Sequence, residues 1–188
     1  QSARTTDTAA GERDAVRRLL SMSPDDAELQ LDYLRHLFRY TVPGREDEAE
    51  VAALLKKLCA SPDARTCRDA RTLERVTRGD LAQSYAALRL LAVAGRHDEA
   101  AREAEKLFQG VPPEPSLQLE YADMLLRTET RRNEGKALLE TLRRSPSLFI
   151  SQRAQRRLAD EAFEEALERA LEGVYHSATR AECVATLE

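Results

Sequence analysis

Apolar residues recur along this chain at helical rather than strand spacing. From Asp80 onward, Leu81, Tyr85, Leu88 and Leu91 fall three or four positions apart, the period that gathers side chains on one face of a helix. Ala94-Gly95-Arg96-His97 breaks the period. Asp98-Glu99 then reopens it with Ala100, Ala101, Ala104, Leu107 and Phe108, up to Gly110 and Pro112. Acidic residues in a first turn complement the positive end of the helix dipole, and Gly then Pro punctuates a helix end. The pattern predicts two helices joined by a tight turn over 80–112.

The design returns further on. Leu117, Leu119, Tyr121, Ala122, Leu125 and Leu126 form a first helix; Glu134-Gly135 starts a second, carrying Ala137, Leu138, Leu139 and Leu142 to Ser145-Pro146. Ala100 and Gly135, at the small close-packing position of each second helix, lie 35 residues apart. The tetratricopeptide period is about 34 residues. A looser copy follows Ser23-Pro24-Asp25, with Leu29, Leu31, Leu34, Leu37 and Phe38 on one helix, a long loop over Thr41 to Glu46, and Val51, Leu54, Leu55 and Leu58 on the next. Ala15, Val16, Leu19 and Leu20 read as the second helix of a truncated repeat, and the extra stretch at 64–78 as a helix preceding or extending the next first helix.

One hairpin cannot hide both of its apolar faces, so such units must stack, with small residues (Ala94, Ala100, Ala122 and Gly135) where helices cross closely. The expectation is an all-α, tetratricopeptide-like helical-hairpin solenoid wound as a right-handed superhelix. Residues 1–11 read as a flexible N-terminal segment, 12–146 as the repeats, and 147–188 as an irregular C-terminal hairpin or capping helices. The tail allows either a very tight hairpin about Ala159-Asp160-Glu161-Ala162 or one long helix from Ser151 to Glu172, with Ser177 an N-cap for a final helix.

Composition narrows the function classes. A net charge of -4 argues against nucleic-acid binding. Of 29 basic residues only Lys56, Lys57, Lys106 and Lys136 are Lys; the arginines serve either as forks for anionic partners or as solvated partners of neighbouring Glu. No Gly-rich phosphate loop and no Gly-x-Ser-x-Gly elbow is present. Carboxylates fall at spacings that pair with bases, as in Glu99-Arg102-Glu103-Lys106, and none of the three His is spaced with a Cys as a zinc site requires. Nothing selects a reaction, a cofactor or a metal, so the chain reads as a binding protein. No run approaches the roughly 18 apolar residues of a membrane span. Without a start Met or signal peptide, it reads as a mature protein or an excised fragment.

First helices line the concave face of a tetratricopeptide stack. Alignment on Ala100 and Gly135 places Tyr85 and Arg89 there from one repeat, Glu120, Tyr121, Met124 and Arg127 from the next, and Arg35 and Phe38 from the earliest. Tyr and Arg in a groove suit peptide or sugar contact, while the same Tyr residues suit ordinary packing equally well. The Lys and Asn clamp that grips a C-terminal carboxylate in cochaperone modules is absent, since those positions hold Tyr85, Arg89, Glu120 and Met124. Cys59 and Cys67 flank Ser61-Pro62-Asp63 and could be bridged in an oxidising compartment or free in a reducing one; Cys183 has no obvious partner.

Particular residues add a resemblance. Lys106-Leu107-Phe108-Gln109-Gly110-Val111-Pro112-Pro113-Glu114, Leu119-Glu120-Tyr121, Arg131-Arg132-Asn133-Glu134-Gly135 and the run from Ala94 to Ala100 resemble the periplasmic repeat region of the cellulose synthase operon protein C family. Weaker similarity runs back to about Arg13, so most of Arg13 to Pro146 is covered. The resemblance implies a periplasmic scaffold in cellulose, hence biofilm, export: a long solenoid between the inner-membrane synthase and an outer-membrane β-barrel pore, of which this would be the N-terminal portion. It carries no catalytic residue. It implies protein components of a secretion complex as partners, with glucan or peptidoglycan as further ones, and a periplasmic address favours the Cys59–Cys67 bridge. The long loop over Thr41 to Glu46, the cysteines and the tail after Pro146 depart from the family. The main rival is a cytosolic tetratricopeptide adaptor or secretion chaperone gripping a peptide or helix. A helical-repeat glycosidase would need a pocketed Glu that the sequence does not single out.

Overall fold

A computed structural model describes residues 15–40 and 45–185, with side chains described except at 39, 40, 45–47 and 173–185. The flexible segment expected at 1–11, the middle of the loop at 41–44 and the Cys183 side chain lie outside the described residues. The described chain is helical and contains no strand: α1 (15–22), α2 (Ala27–Tyr40), α3 (Arg45–Cys59), α4 (Ala64–Arg78), α5 (Ala82–Val93), α6 (His97–Phe108), α7 (Pro115–Leu126), a 3-10 turn (Glu129–Arg131), α8 (Arg132–Leu142) and α9 (Leu148–Ala185).

Local chemistry sets these boundaries. Asp63 caps α4 by accepting from the Arg65 amide at 3.0 Å and the Thr66 hydroxyl at 2.7 Å. Gly95 makes the α5–α6 turn at φ 79°, a conformation that costs a Cβ-bearing residue energy. Beyond α6, Gln109 adopts the left-handed conformation at φ 57°, and its neighbour Gly110 lies at 137°. Glu114 caps α7, whose first position is Pro115, where a missing N–H is harmless. Ser147 caps α9 through the Ile150 amide.

Helices pack mainly on their neighbours in the chain. The pairs α5–α6 and α7–α8 make the closest hairpins, α7 also packs on α6, and α9 covers α7 and α8. The stretch at 64–78 is a helix in its own right, wedged against α2, α3 and α5. Ala100 and Ala122 are fully buried. A Cβ on Gly135 would lie 3.0 Å from the Ala122 carbonyl oxygen and 3.0 Å from the Leu126 amide nitrogen, so α7 and α8 meet there as closely as only glycine permits without movement. Ala94 does not share this role; it is exposed at the α5–α6 turn, beyond the helix crossing.

The C-terminal region is not an irregular hairpin with separate capping helices. It is one helix, the longer of the two alternatives, running through Ala159–Ala162 without a break. No Gly or Pro occurs between Leu148 and Glu172 to interrupt it, and the backbone at Ser177 is interior to it. Ile150 and Ala154 anchor its first half in the core. Further along, Glu161 and Glu165 pair with Arg132 and Lys136 of α8 while Phe163, Leu167 and Leu171 face outward.

Candidate functional site

Two cavities lie side by side on the face formed by α5 and α7, and they share Arg89 and Glu120. The first, about 200 Å³, is enclosed by Arg35 and Phe38 of α2, Thr77 of α4, Tyr85 of α5, Ser116 of α7 and Phe149 of α9, among others. The second, about 530 Å³, is bounded by Gly95, His97, Asp123, Met124 and Arg127. Together they form one groove. Of the eight groove residues expected from the repeat register, Arg35, Phe38, Tyr85, Arg89, Glu120, Met124 and Arg127 line it.

Tyr121 does not. Its ring is buried among Leu117, Leu125 and Ala104, and its hydroxyl donates to Glu105 of α6 and accepts from Arg131 at 3.0 Å. Burial and the Glu105 hydrogen bond push its phenol up to about 12, so it stays neutral. It adjoins Glu120, and the turn of about 100° between them carries the Tyr121 ring toward Glu105 of α6 instead of the groove.

The groove's polar groups are largely paired with each other. Tyr85, itself buried, donates its hydroxyl to Glu120 at 2.8 Å, and Arg89 approaches the same carboxylate at 3.6 Å. Tyr85 and Glu120 are 35 residues apart, the same spacing as Ala100 and Gly135. Desolvation, and then the charge of Glu120, hold the Tyr85 phenol well above its ordinary value. Arginines stack near two rings of the first cavity: Arg78 lies 5.7 Å from the Phe38 ring centre and Arg153 5.2 Å from that of Phe149. The resulting surface offers aromatic faces and paired donors and acceptors, with little net charge to grip an isolated ion.

His97, in the segment that breaks the helical period, starts α6 and borders the second cavity. Burial, reinforced by the positive charge of Arg127, keeps its imidazole below the usual value, and its Nδ1 is buried without a partner. Phe149, Asp123, Thr77 and Ser116 were also missed. Thr77 and Phe149 arrive from α4 and α9, which the stacking of helices brings to the groove, whereas Ser116 and Asp123 lie on α7 four positions before and three after Glu120, on the face that Glu120 presents.

At the far end of the molecule, Cys59 at the end of α3 and Cys67 in the first turn of α4 are disulfide-bonded, their Cα atoms 4.3 Å apart. No group of three or more His, Cys, Asp or Glu suited to a metal occurs among the described residues, and no described helix is long and apolar enough to cross a membrane.

The described residues form an all-helical stack of hairpins with a groove along α5 and α7. In sequence, the chain is similar to the cellulose synthase operon protein C of Salmonella typhimurium strain LT2, with 31% identity over 124 residues. The match covers 65% of this chain but only 10% of that relative, so the chain spans about a tenth of the protein it resembles. No family model matches the chain, and no solved structure matches it either.

Proposed function

We propose that this chain is a tetratricopeptide-like, right-handed solenoid segment that serves as a non-catalytic scaffold in cellulose export. The similarity to a cellulose synthase operon protein carries this reading, and a groove that gathers seven residues from three repeats supports it. The segment works in the periplasm, between the inner-membrane synthase and the outer-membrane pore. Its groove receives an extended segment of a secretion-complex partner, with Phe38, Phe149 and Tyr85 supplying contact area and Arg89, Glu120 and Arg127 supplying hydrogen bonds. The disulfide at the α3–α4 corner suits an oxidising compartment. It favours this reading over a cytosolic adaptor.

The test uses the full-length protein in a cellulose-producing host. Arg89→Glu with Arg127→Glu reverses charge in the groove, whereas Arg102→Glu on the exposed face of α6 is the control. Cellulose output should fall at least several-fold in the groove variant at equal protein level and stay unchanged in the control. Equal output from all three strains overturns the assignment of the groove.

A further inference from the structure

In a solenoid each repeat touches its neighbours only. Here α2 also reaches the starts of α7 and α9, far along the chain. Arg35 Nε donates to Glu114 Oε1 at 2.7 Å across 79 residues, and the Ser147 hydroxyl donates to Asp32 Oδ1 at 2.7 Å across 115 residues. Arg35 Nη1 closes the set by donating to the same Asp32 oxygen at 2.6 Å. The Arg35 side chain is 2% exposed and that of Glu114 0%.

This long-range contact is made of a different material from the rest of the fold. Among the described residues, three apolar clusters join α2 to α3 and α4, α4 through to α7, and α7 to α8 and α9; none of them joins α2 to α7 or α9. Between Phe38 on α2 and Phe149 on α9 lies the first cavity, not a packed interface. Closure therefore depends on directional polar bonds.

Those bonds are incompletely matched. Among the described residues, the buried polar side-chain atoms without a hydrogen-bond partner are Glu28 Oε2, Arg35 Nη2, both carboxylate oxygens of Asp69, and Nδ1 of His97. The first four belong to the charged cluster around this junction: Arg35 lies 3.8 Å from Glu28, and Asp69 feels the charges of Glu114 and Arg35. Buried groups left unpaired raise the free energy of the closed arrangement relative to one that admits water.

We propose that Asp32, Arg35, Glu114 and Ser147 form a latch that holds the first hairpin against the starts of α7 and α9, and that its release opens the enclosed end of the groove. The arginine, its two carboxylates and the serine hydroxyl specify one closed geometry, while among the described residues no apolar core cluster spans the contact, which leaves an open geometry within reach. Opening separates Arg35 and Phe38 from Ser116, Glu120 and Phe149, which stand on opposite sides of the first cavity. A segment too long to thread into the closed cavity then enters from the side. The gating role rests on the groove reading above; the latch itself does not.

Spin labels at Lys56→Cys on α3 and Gln152→Cys on α9, in a Cys183→Ser background, report the separation across the latch without any ligand. The parent chain should give one narrow distance distribution. Arg35→Met with Glu114→Gln replaces the ion pair by neutral side chains of similar size, and should add a longer-distance population of roughly a tenth of the molecules or more. A distribution that stays single and unmoved overturns the latch. If that variant fails to fold, Asp32→Ala, which spares the Arg35–Glu114 bond, should produce a smaller long-distance population, and its absence is equally decisive. Loss of cellulose output in Arg89→Glu/Arg127→Glu with no change in this distance would support the groove reading independently of the latch; the reverse result would support the latch alone.

Discussion

The seam between α7 and α8 and the junction of α2 with α7 and α9 are both buried, and they are built on opposite terms. At the seam, Leu126, Leu139 and Leu142 close over Gly135 with no charge inside, and fit is set by shape. At the junction, Arg35, Asp32, Glu114 and Ser147 meet away from water, and fit is set by hydrogen bonds. The seam tolerates a missing methyl better than an added one, whereas the junction tolerates loss of both charges better than loss of one. Repeat identity resides in the seam, and the placement of the first hairpin in the junction.

The sharpest way to break this contrast is to remove one charge. Arg35→Met leaves Glu114 and Asp32 buried without their cation and should cost about 3–5 kcal/mol in urea unfolding. Adding Glu114→Gln, whose amide oxygen can still accept from the Ser116 and Leu117 amides, should recover most of that loss. A single-variant loss below about 1 kcal/mol would place the junction among solvated ion pairs and erase the distinction.

Next in size is the covalent staple. Cys59 and Cys67 are eight residues apart, and closing so short a loop should contribute roughly 2–3 kcal/mol through restriction of the unfolded chain. Unfolding midpoints with and without reductant measure it, after mass spectrometry has established one bridge on freshly prepared protein. Two free thiols there would remove both the staple and its support for an oxidising compartment.

Overpacking the other kind of interface comes third. Ala100→Leu should cost about 1–3 kcal/mol, because the residue is fully buried among Ala101, Ala104 and Leu88. A melt indistinguishable from the parent would mean that the crossing has slack.

These contrasts show what was legible in the residues. The spacing of Ala100 and Gly135 located the two close hairpins because a close helix crossing demands a small residue at a fixed place in every unit. Seven of the residues chosen by the same register line the two cavities. The register failed at Tyr121, whose ring packs in the core and whose hydroxyl bonds Glu105 of α6, and at Ala94, which lies past the crossing. The latch was not legible at all. Asp32 and Ser147 are separated by 115 residues, and no local pattern records which distant helices meet. The tail needed the structure for a different reason: Ala159-Asp160-Glu161-Ala162 has neither the Gly that ends a helix nor a Pro that prevents one.

The smallest expected effect has the opposite sign, and it isolates the cost of burying charge near the junction. The Asp69 carboxylate is 1% exposed, with Arg65 and Arg68 no nearer than 3.5 and 3.6 Å and neither oxygen hydrogen-bonded. Burial, joined by the negative charge of Glu114, holds its carboxyl above the ordinary carboxylate value, against the pull of Arg65, Arg68 and Arg35. The folded chain therefore binds this proton more tightly than the unfolded chain does. The associated stability is fully present below the unfolded value, near 3.9, and is lost as pH rises through the folded value. Asp69→Asn removes that loss, so the variant should be more stable than the parent at pH 7, with the advantage shrinking as pH falls toward the unfolded value. Taking the difference between variant and parent at each pH cancels Asp63, Asp80, Glu99, Glu105 and Glu165, whose lowered values destabilise both chains alike in acid. A variant less stable than the parent at pH 7 would mean that attraction to the three arginines outweighs burial, and that the junction is held by its charges more firmly than its unpaired oxygens indicate.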